Sequence, residues 1–177
     1  MGTTWAVSAE SEKLRLYRKI CDQLEELLGG EQNFVANAAN TSALLFRSIP
    51  DVNWVGFYLA EGDNLVLGPF QGKPACTRMA IGKGVCGAAA AARDTVMVGD
   101  IHDFDGHIAC DAESKSEIVV PLLNWGRLIG VLDVDSPIAN RFDEDDREGL
   151  ERVASLFLAK QRTDDLPSFN EEELMQS

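Results

Sequence analysis

The middle of the chain is patterned as antiparallel hairpins, and this pattern constrains the fold more than any other feature. Six stretches rich in β-branched, aromatic and leucine residues are present: 54–59, 65–67, 77–81, 95–98, 118–123 and 128–135. Short turn sequences at 61–64 and 124–127 join two pairs of them. Turns of this length connect antiparallel neighbours, so the pattern predicts an antiparallel sheet of five to six strands.

Helical periodicity flanks the strand patterns on both sides. Apolar residues three or four apart run from Leu14 to Leu28, a second such stretch runs from 33 to 49 before Pro50, and a short one covers 88–92. A closing helix begins near Phe142, where acidic residues gather at its positive end. We therefore expect an α+β fold with the flanking helices packed on one face of the sheet.

Length and composition predict one globular domain. The 177 residues contain 45% hydrophobic and 25% charged residues, which is ordinary for a soluble domain. We assign 1–10 to an N-terminal extension, 11–162 to the domain and 163–177 to a polar C-terminal tail. The 29 acidic residues outnumber the 16 basic ones, giving a net charge of −13. This balance disfavours nucleic acid and anionic membranes as partners.

The expected compartment is the cytoplasm. The first residues lack the basic and apolar regions of a signal peptide, and no apolar run has the length of a membrane span. In a reducing compartment the four cysteines are expected to be thiols rather than structural disulfides. Cys21 lies on the apolar stripe of the first helix, which predicts an inert core residue.

The other three cysteines lie outside helical stripes. Cys76 follows a Gly-Lys-Pro-Ala sequence, Cys86 opens the short helix, and Cys110 lies in a long loop over residues 99–116. A thiol at a helix N-terminus or near a cation can have a lowered pKa and act as a nucleophile. Three such thiols indicate redox chemistry, in which one sulfur attacks and another resolves.

Two less specific interpretations of these cysteines stay open. The three thiols, with His102 or His107, are enough donors for zinc, although the close cysteine pair typical of structural zinc sites is missing. In the second interpretation, the three cysteines have a structural role or no functional role. The two histidines are expected to be solvated loop residues. We expect no bound metal and no bound cofactor.

Two aspartates on the last strand are the sharpest anomaly. Strand alternation puts Asp133 and Asp135 on one side together with Ile129 and Val131. Paired carboxylates on a half-apolar strand repel one another and favour a cation between them, unless the strand end is frayed and both are in water. Glu117, which we place just before the neighbouring strand, is a candidate third carboxyl.

Aromatic side chains complete this candidate site. Trp54 and Tyr58 each lie two strand positions from Gly56, on either side of it, and aromatic faces hold alkyl and thioether groups. Both are also ordinary core residues by type. With the acidic residues, they would suit a small primary amine that carries an apolar side chain.

Six motifs together resemble the free methionine-R-sulfoxide reductases that are built on a GAF domain. They occur in order at 51–58 (DVNWVGFY), 71–76 (QGKPAC), 82–87 (GKGVCG), 107–111 (HIACD), 116–121 (SEIVVP) and 130–136 (GVLDVDS). The resemblance covers about residues 14 to 160. Generic GAF domains share the sheet and the Leu-Asp-Val-Asp-Ser-like strand, but not three cysteines together with Glu117.

The resemblance implies a role for each site residue. Cys110 would attack the sulfoxide sulfur and become a sulfenic acid, Cys76 would condense with it to a disulfide, and Cys86 would be a backup or relay. Thioredoxin would reduce that disulfide. The three carboxyls, Glu117, Asp133 and Asp135, would hold the substrate ammonium and polarise the sulfoxide oxygen. Trp54 and Tyr58 would line the methyl-thioether end, and preference for the R epimer follows from the resemblance alone.

Two other functions are rivals at this point. A GAF sensor module would bind a small ligand without catalysis, and a peroxide-sensing or disulfide-exchange protein would need no amino-acid substrate. A homodimer is an open expectation. The loop over 99–113 is a candidate lid, with Gly99 and Gly106 as hinges.

Overall fold

The computed structural model describes residues 10–104 and 113–161. Its elements in chain order are α1 (Glu12–Leu27), α2 (Phe34–Ser48), β1 (Trp54–Glu61), β2 (Asn64–Gly72), β3 (Arg78–Ala80), α3 (Gly84–Ala92), β4 (Val96–Val98), β5 (Ser116–Asn124), β6 (Arg127–Ser136) and α4 (Glu144–Ala159). A single 3-10 turn, Ile101–Asp103, follows β4. The predicted tail lies outside the described residues, as does the N-terminal extension apart from its last residue.

The six strands form one antiparallel sheet in the order β3-β2-β1-β6-β5-β4. The two long hairpins, β1–β2 and β5–β6, are joined through the β1–β6 pair at the centre. The sheet and the four α-helices of the described residues confirm the predicted α+β class. No described helix is long and apolar enough to cross a membrane.

Local signals fix the helix ends where the sequence predicts them. The Ser11 hydroxyl accepts a hydrogen bond from the Leu14 amide at 3.1 Å and begins α1, and the Asn33 side chain caps α2. Asp143 and Asp146 form a reciprocal capping box at the start of α4. Each cap supplies acceptors for amides that have no partner within the helix.

Helices α1, α2 and α4 cover one face of the sheet, as predicted. Their apolar stripes meet the inward side chains of β1, β5 and β6 in a large core cluster that includes Cys21, 5% exposed. This confirms Cys21 as a core residue.

Helix α3 differs from the prediction, since it lies on the opposite face of the sheet. Its buried side of Val85, Cys86, Ala89 and Ala90 packs against a second cluster that contains Trp54. It also begins at Gly84 rather than 88, because 84–87 continue the run of small residues that allows a close approach. A Cβ on Gly87 would lie 2.6 Å from the carbonyl oxygen of Ala80. The second face is therefore not left open to solvent.

The structure corrects the predicted alternation along β6. Leu122 pairs with Gly130, but Leu123 pairs with Leu128, so Ile129 is an extra residue in a β-bulge. A bulge reverses the side of the residues beyond it. Ile129 consequently packs in the helix-covered core and not beside Val131.

Strand boundaries also differ from the sequence expectation: β2 covers Asn64–Gly72 rather than 65–67, and β1 extends to Glu61. β3 and β4 have three residues each and are shorter than predicted, because only those residues pair with a neighbouring strand. Glu117 lies within β5 rather than before it, and it pairs with Val98 of β4 and Asp135 of β6.

Candidate active site

Strand register brings three acidic residues together on the α3 side of the sheet. Glu117 on β5 lies opposite Asp135 on β6, and Asp135 lies opposite Trp54 on β1. One row further along, Asp133 lies opposite Gly56. The predicted pair of aspartates on one face is thus present, and the register adds Glu117 to it.

A cavity lies between this face and α3. Its lining combines carboxyls, aromatic rings, a thiol and aliphatic groups: Trp54, Tyr58, Pro74, Ala75, Met79, Gly84, Val85, Cys86, Ile101, Ser114, Glu117, Asp133 and Asp135. All five substrate-binding residues proposed from the sequence line this one cavity. A single small molecule in it would contact both the acidic and the aromatic side.

The deepest polar groups form a cluster of one thiol and two carboxyls. The Cys86 thiol donates to Oε1 of Glu117 at 3.7 Å, and donor atoms of Cys86, Glu117 and Asp133 all lie within 4.8 Å of one another. Their exposed fractions are 3%, 8% and 5%. Oδ1 of Asp133 has no hydrogen-bond partner within the described part of the chain. Asp133 is therefore buried and does not lie in water at a frayed strand end.

Burial shifts the titration of this cluster. It raises the pKa of Glu117 well above its ordinary value, and the negative charges of Asp133 and Asp135 add to the shift. Burial also raises the pKa of Asp133 to about 7. Without a cation in the cavity, the cluster thus keeps a proton near neutral pH.

Cys86 is not activated in the way that its position at a helix start suggests. Burial raises the pKa of its thiol well above the ordinary value, and the adjacent charges of Asp133 and Glu117 raise it further. Nearby carboxylates and exclusion of water outweigh the dipole of the nine-residue helix α3. Cys86 in this environment is a neutral hydrogen-bond donor.

The aromatic wall is a stack of three rings. Trp54 stacks on Tyr58 with ring centroids 5.7 Å apart and on Phe70 at 5.3 Å. A Cβ on Gly56 would lie 2.6 Å from the indole ring, so only glycine leaves room for the ring on the strand surface. Trp54 and Tyr58 are each 2% exposed.

The remaining cysteines have different environments. Cys76 is disulfide-bonded and half-buried against the second core cluster, whereas Cys21 and Cys86 carry free thiols. Cys110, the predicted nucleophile, lies in the stretch 105–112, outside the described residues.

The histidines do not support the zinc interpretation from the sequence. His102 is exposed, as expected, and its Nδ1 lies 2.9 Å from Oδ1 of Asp100. His107 lies outside the described residues. Within the described ranges, the group whose spacing suits a cation is instead Cys86, Glu117 and Asp133. A substrate ammonium or a metal ion would meet the same donors.

Sequence reasoning missed several lining residues. Met79, Ile101 and Ser114 come from β3 and from the connections before β5, far apart in the chain. Ser114 is fixed by the side chain of Asn53, whose Nδ2 donates to its hydroxyl at 3.1 Å. Asn53 belongs to the first family motif, at 51–58, and membership of that motif is the sequence feature that could have pointed to its contact with Ser114.

Comparison with known proteins identifies the family. The model of the GAF domain matches residues 14–158. The free methionine-R-sulfoxide reductase of Escherichia coli is 50% identical over 143 residues, which are 81% of this chain and 87% of that protein. The enzyme of the same name from Saccharomyces cerevisiae is 43% identical and covers 84% and 87%.

A solved structure agrees with this assignment. Free methionine-R-sulfoxide reductase from Neisseria meningitidis, in complex with its substrate, superposes with a TM-score of 0.82 at 47% identity and covers 86% of this chain and 92% of that one. The sheet, the acidic and aromatic cavity and these similarities lead to one conclusion. The chain belongs to the GAF-domain family of free methionine-R-sulfoxide reductases.

Proposed function

We propose that the protein reduces free L-methionine-(R)-sulfoxide to L-methionine. The observation that carries this proposal is the cavity in which buried carboxyls, with no salt bridge to a described lysine or arginine, lie across from a stack of aromatic rings. The names of the E. coli and N. meningitidis relatives support the same substrate.

The acidic side of the cavity would bind the amino group of the substrate. Glu117, Asp133 and Asp135 line it, and within the described residues no lysine or arginine forms a salt bridge with Glu117 or Asp133. An ammonium ion would neutralise carboxylates that are otherwise costly to bury. A methionine sulfoxide inside a peptide lacks this ammonium and leaves the carboxylates uncompensated, which favours the free amino acid.

The aromatic side would bind the methyl-thioether end. Faces of Trp54 and Tyr58 form this wall, with Met79 beside them in the lining. Rings and thioethers attract one another when the sulfur lies about 5 Å from the ring. The two walls together would orient the sulfoxide group between them.

The carboxyl cluster would also supply a proton to the sulfoxide oxygen. A sulfoxide becomes electrophilic at sulfur when its oxygen is protonated or strongly hydrogen-bonded. The raised pKa values of Glu117 and Asp133 mean that the cluster carries a proton near neutral pH when the substrate enters, while its ammonium compensates the carboxyls that are ionised. Because the two carboxyls are coupled, the proton belongs to the pair and not to one residue.

The covalent steps follow from the family resemblance. The Cys110 sulfur attacks the sulfoxide sulfur, and the oxygen is transferred, which yields methionine and a cysteine sulfenic acid. A second thiol then attacks the sulfenic sulfur, forms a disulfide and releases water. A dithiol of thioredoxin reduces that disulfide by exchange and is itself oxidised.

Cys76 is the better candidate for the resolving thiol. Cys76 is disulfide-bonded whereas Cys21 and Cys86 carry free thiols, which supports Cys76 as the redox-active member of these three. The raised pKa of Cys86 makes it a slow attacking thiol, because the thiolate is the nucleophile. Cys86 then serves as a relay or backup.

A coupled turnover assay tests the function. With thioredoxin and its reductase, we expect turnover of free methionine-R-sulfoxide and little or none of the N-acetylated compound. Cys110→Ser should abolish turnover, while Cys21→Ser, a matched change in the helix-covered core, should retain it. Equal rates on both substrates would contradict the role of the carboxyls. Ligand binding without thiol consumption would indicate a sensor, and peroxide reduction without sulfoxide reduction would indicate a peroxide-sensing protein.

A further inference from the structure

The segment that carries Cys76 is attached to the sheet by two aromatic side chains. It connects β2, which ends at Gly72, with β3, which begins at Arg78. The indole Nε1 of Trp54 donates to the carbonyl oxygen of Lys73 at 3.1 Å. The hydroxyl of Tyr58 donates to the carbonyl oxygen of Cys76 itself, also at 3.1 Å.

The platform under this segment is rigid. The rings of Trp54 and Tyr58 are stacked at an interplanar angle of 23°, and both are almost fully buried on a central strand. A Cβ on Gly72 would lie 2.6 Å from Trp54 Cδ1, so the chain leaves β2 in close contact with the indole. Two stacked and buried rings therefore each donate a hydrogen bond to this segment, one near each of its ends.

Both polar tips of the aromatic wall thus point to the backbone around Cys76. Tyr58 remains a donor at working pH, because burial and the neighbouring carboxylates raise the pKa of its hydroxyl further above its ordinary value. Both residues line the cavity while their polar tips are used elsewhere. The same two residues can therefore serve two steps of one reaction.

We propose that Tyr58, assisted by Trp54, is a positioning residue for disulfide formation: it holds residues 73–76 so that the Cys76 thiol reaches the sulfenic acid of Cys110. This inference rests on the proposed function. In the step concerned, the Cys76 sulfur attacks the Cys110 sulfur, an S–S bond forms, the S–O bond breaks and water leaves with the thiol proton. The two hydrogen bonds are seen with Cys76 disulfide-bonded, and the proposal is that they hold the segment in the same place before condensation, so that the thiol has already lost its orientational freedom.

A single-turnover experiment separates this role from substrate binding. Reduced wild type and Tyr58→Phe are mixed with substrate in the absence of thioredoxin. Methionine release is followed by quenched chromatography, and the sulfenic acid and the disulfide by dimedone trapping and peptide mass spectrometry. Phenylalanine retains the ring face and removes the hydroxyl. We expect condensation to slow about three- to tenfold more than methionine release, with accumulation of trapped sulfenic acid.

Tyr17→Phe is the matched control. Tyr17 is also buried, 1% exposed, and its hydroxyl also makes one hydrogen bond, but to Asp146 on the opposite face of the sheet. It should leave the ratio of the two rates unchanged. Condensation at the wild-type rate in Tyr58→Phe, or an equal slowing of both steps, would overturn the inference.

A second oxidant distinguishes failure of this inference from failure of the proposed function. If wild type releases no methionine, the substrate assignment is wrong. Condensation is then measured after a single equivalent of hydrogen peroxide, which oxidises a reactive thiol to the same sulfenic acid. Slower condensation in Tyr58→Phe supports the positioning role by this route too, and an unchanged rate contradicts it.

Discussion

Two buried groups of carboxyls on opposite faces of the sheet have opposite electrostatic environments. Asp146 at the start of α4 is 0% exposed, and it accepts hydrogen bonds from the Tyr17 hydroxyl at 2.9 Å and from Arg141 Nη1 at 3.1 and 3.2 Å. Lys13 forms a further salt bridge with it. Glu117 and Asp133 are nearly as buried. Among the described residues, the polar atoms grouped with these two carboxyls are the thiol of Cys86 and each other's oxygens.

The difference separates a carboxylate that the fold itself compensates from two that it does not. Asp146 is paired within the fold and fixes α1 and the preceding loop to the start of α4. The Cys86 thiol donates to Glu117, but no described lysine or arginine forms a salt bridge with Glu117 or Asp133, and Oδ1 of Asp133 has no hydrogen-bond partner among the described residues. A buried carboxyl without a cation is costly to the fold, so its natural partner is a ligand that brings a positive charge.

The largest expected effect is loss of activity at the unpaired group. Asp133→Asn should lower kcat/KM about a hundredfold to a thousandfold, because one charged partner of the substrate ammonium is removed. Steady-state kinetics with free methionine-R-sulfoxide measure this. Asp63→Asn, the same change at the exposed β1–β2 turn, should have no effect. Unchanged kinetics in Asp133→Asn would remove the residue from the site.

At the paired group the same change should affect stability instead. Asp146→Asn leaves Lys13 and Arg141 without their buried partner and should lower the free energy of unfolding by about 3 kcal/mol. Urea denaturation gives the value, and kcat/KM of the folded fraction should stay within about twofold of wild type. If Asp146→Asn lost much of its kcat/KM without losing stability, Asp146 would not differ from Glu117 and Asp133 in the way proposed.

Asp133→Asn should also stabilise the ligand-free protein at alkaline pH. Folding raises the pKa of Asp133 from 3.8 to about 7, so the folded state binds this proton more tightly than the unfolded state. The associated stability is fully present below about pH 4 and is lost as the pH rises through about 7. The variant avoids this loss.

We therefore expect Asp133→Asn to be more stable than wild type by about 4 kcal/mol at pH 8, with the difference disappearing toward pH 4. Urea denaturation of both proteins across this pH range is the measurement. A variant that is less stable than wild type at pH 8 would show that a cation already compensates the carboxyl.

The smallest effect is expected from removing one cation of the paired group. The Lys13 side chain is 33% exposed, and Arg141 continues to pair with Asp146 when Lys13 is absent. Lys13→Met should lower the free energy of unfolding by about 1 kcal/mol or less. A loss as large as that of Asp146→Asn would mean that Arg141 alone cannot compensate the carboxylate.

Much of the fold could be predicted because its signals are local. The Leu14–Leu28 stripe with Gly29-Gly30, the proline after α2 and the two hairpin turns each specify a short segment. The position of α3 could not be predicted, since a helix of alanine and glycine is apolar all round and has no stripe that selects a face. The bulge at Ile129 also has no local signal, and one extra residue reverses the alternation.

The candidate site could be predicted in part. Alternation placed Asp133 and Asp135 on one face, the neighbouring strand patterns offered Glu117, Trp54 and Tyr58 as candidates, and the family resemblance implied a role for each. The raised pKa of Cys86 could not be inferred, because it depends on carboxylates from two other strands. The hydrogen bond from Tyr58 to the Cys76 carbonyl likewise joins β1 to a connection 18 residues away.

The sequence alone determined the helix and strand segments, the antiparallel class and the residue types available for chemistry, because these depend on neighbours along the chain. Tertiary structure decided which carboxyls are compensated. That outcome depends on whether a lysine or arginine from a distant segment reaches the same buried volume: Lys13 and Arg141 do so at Asp146, and no described residue does so at Asp133.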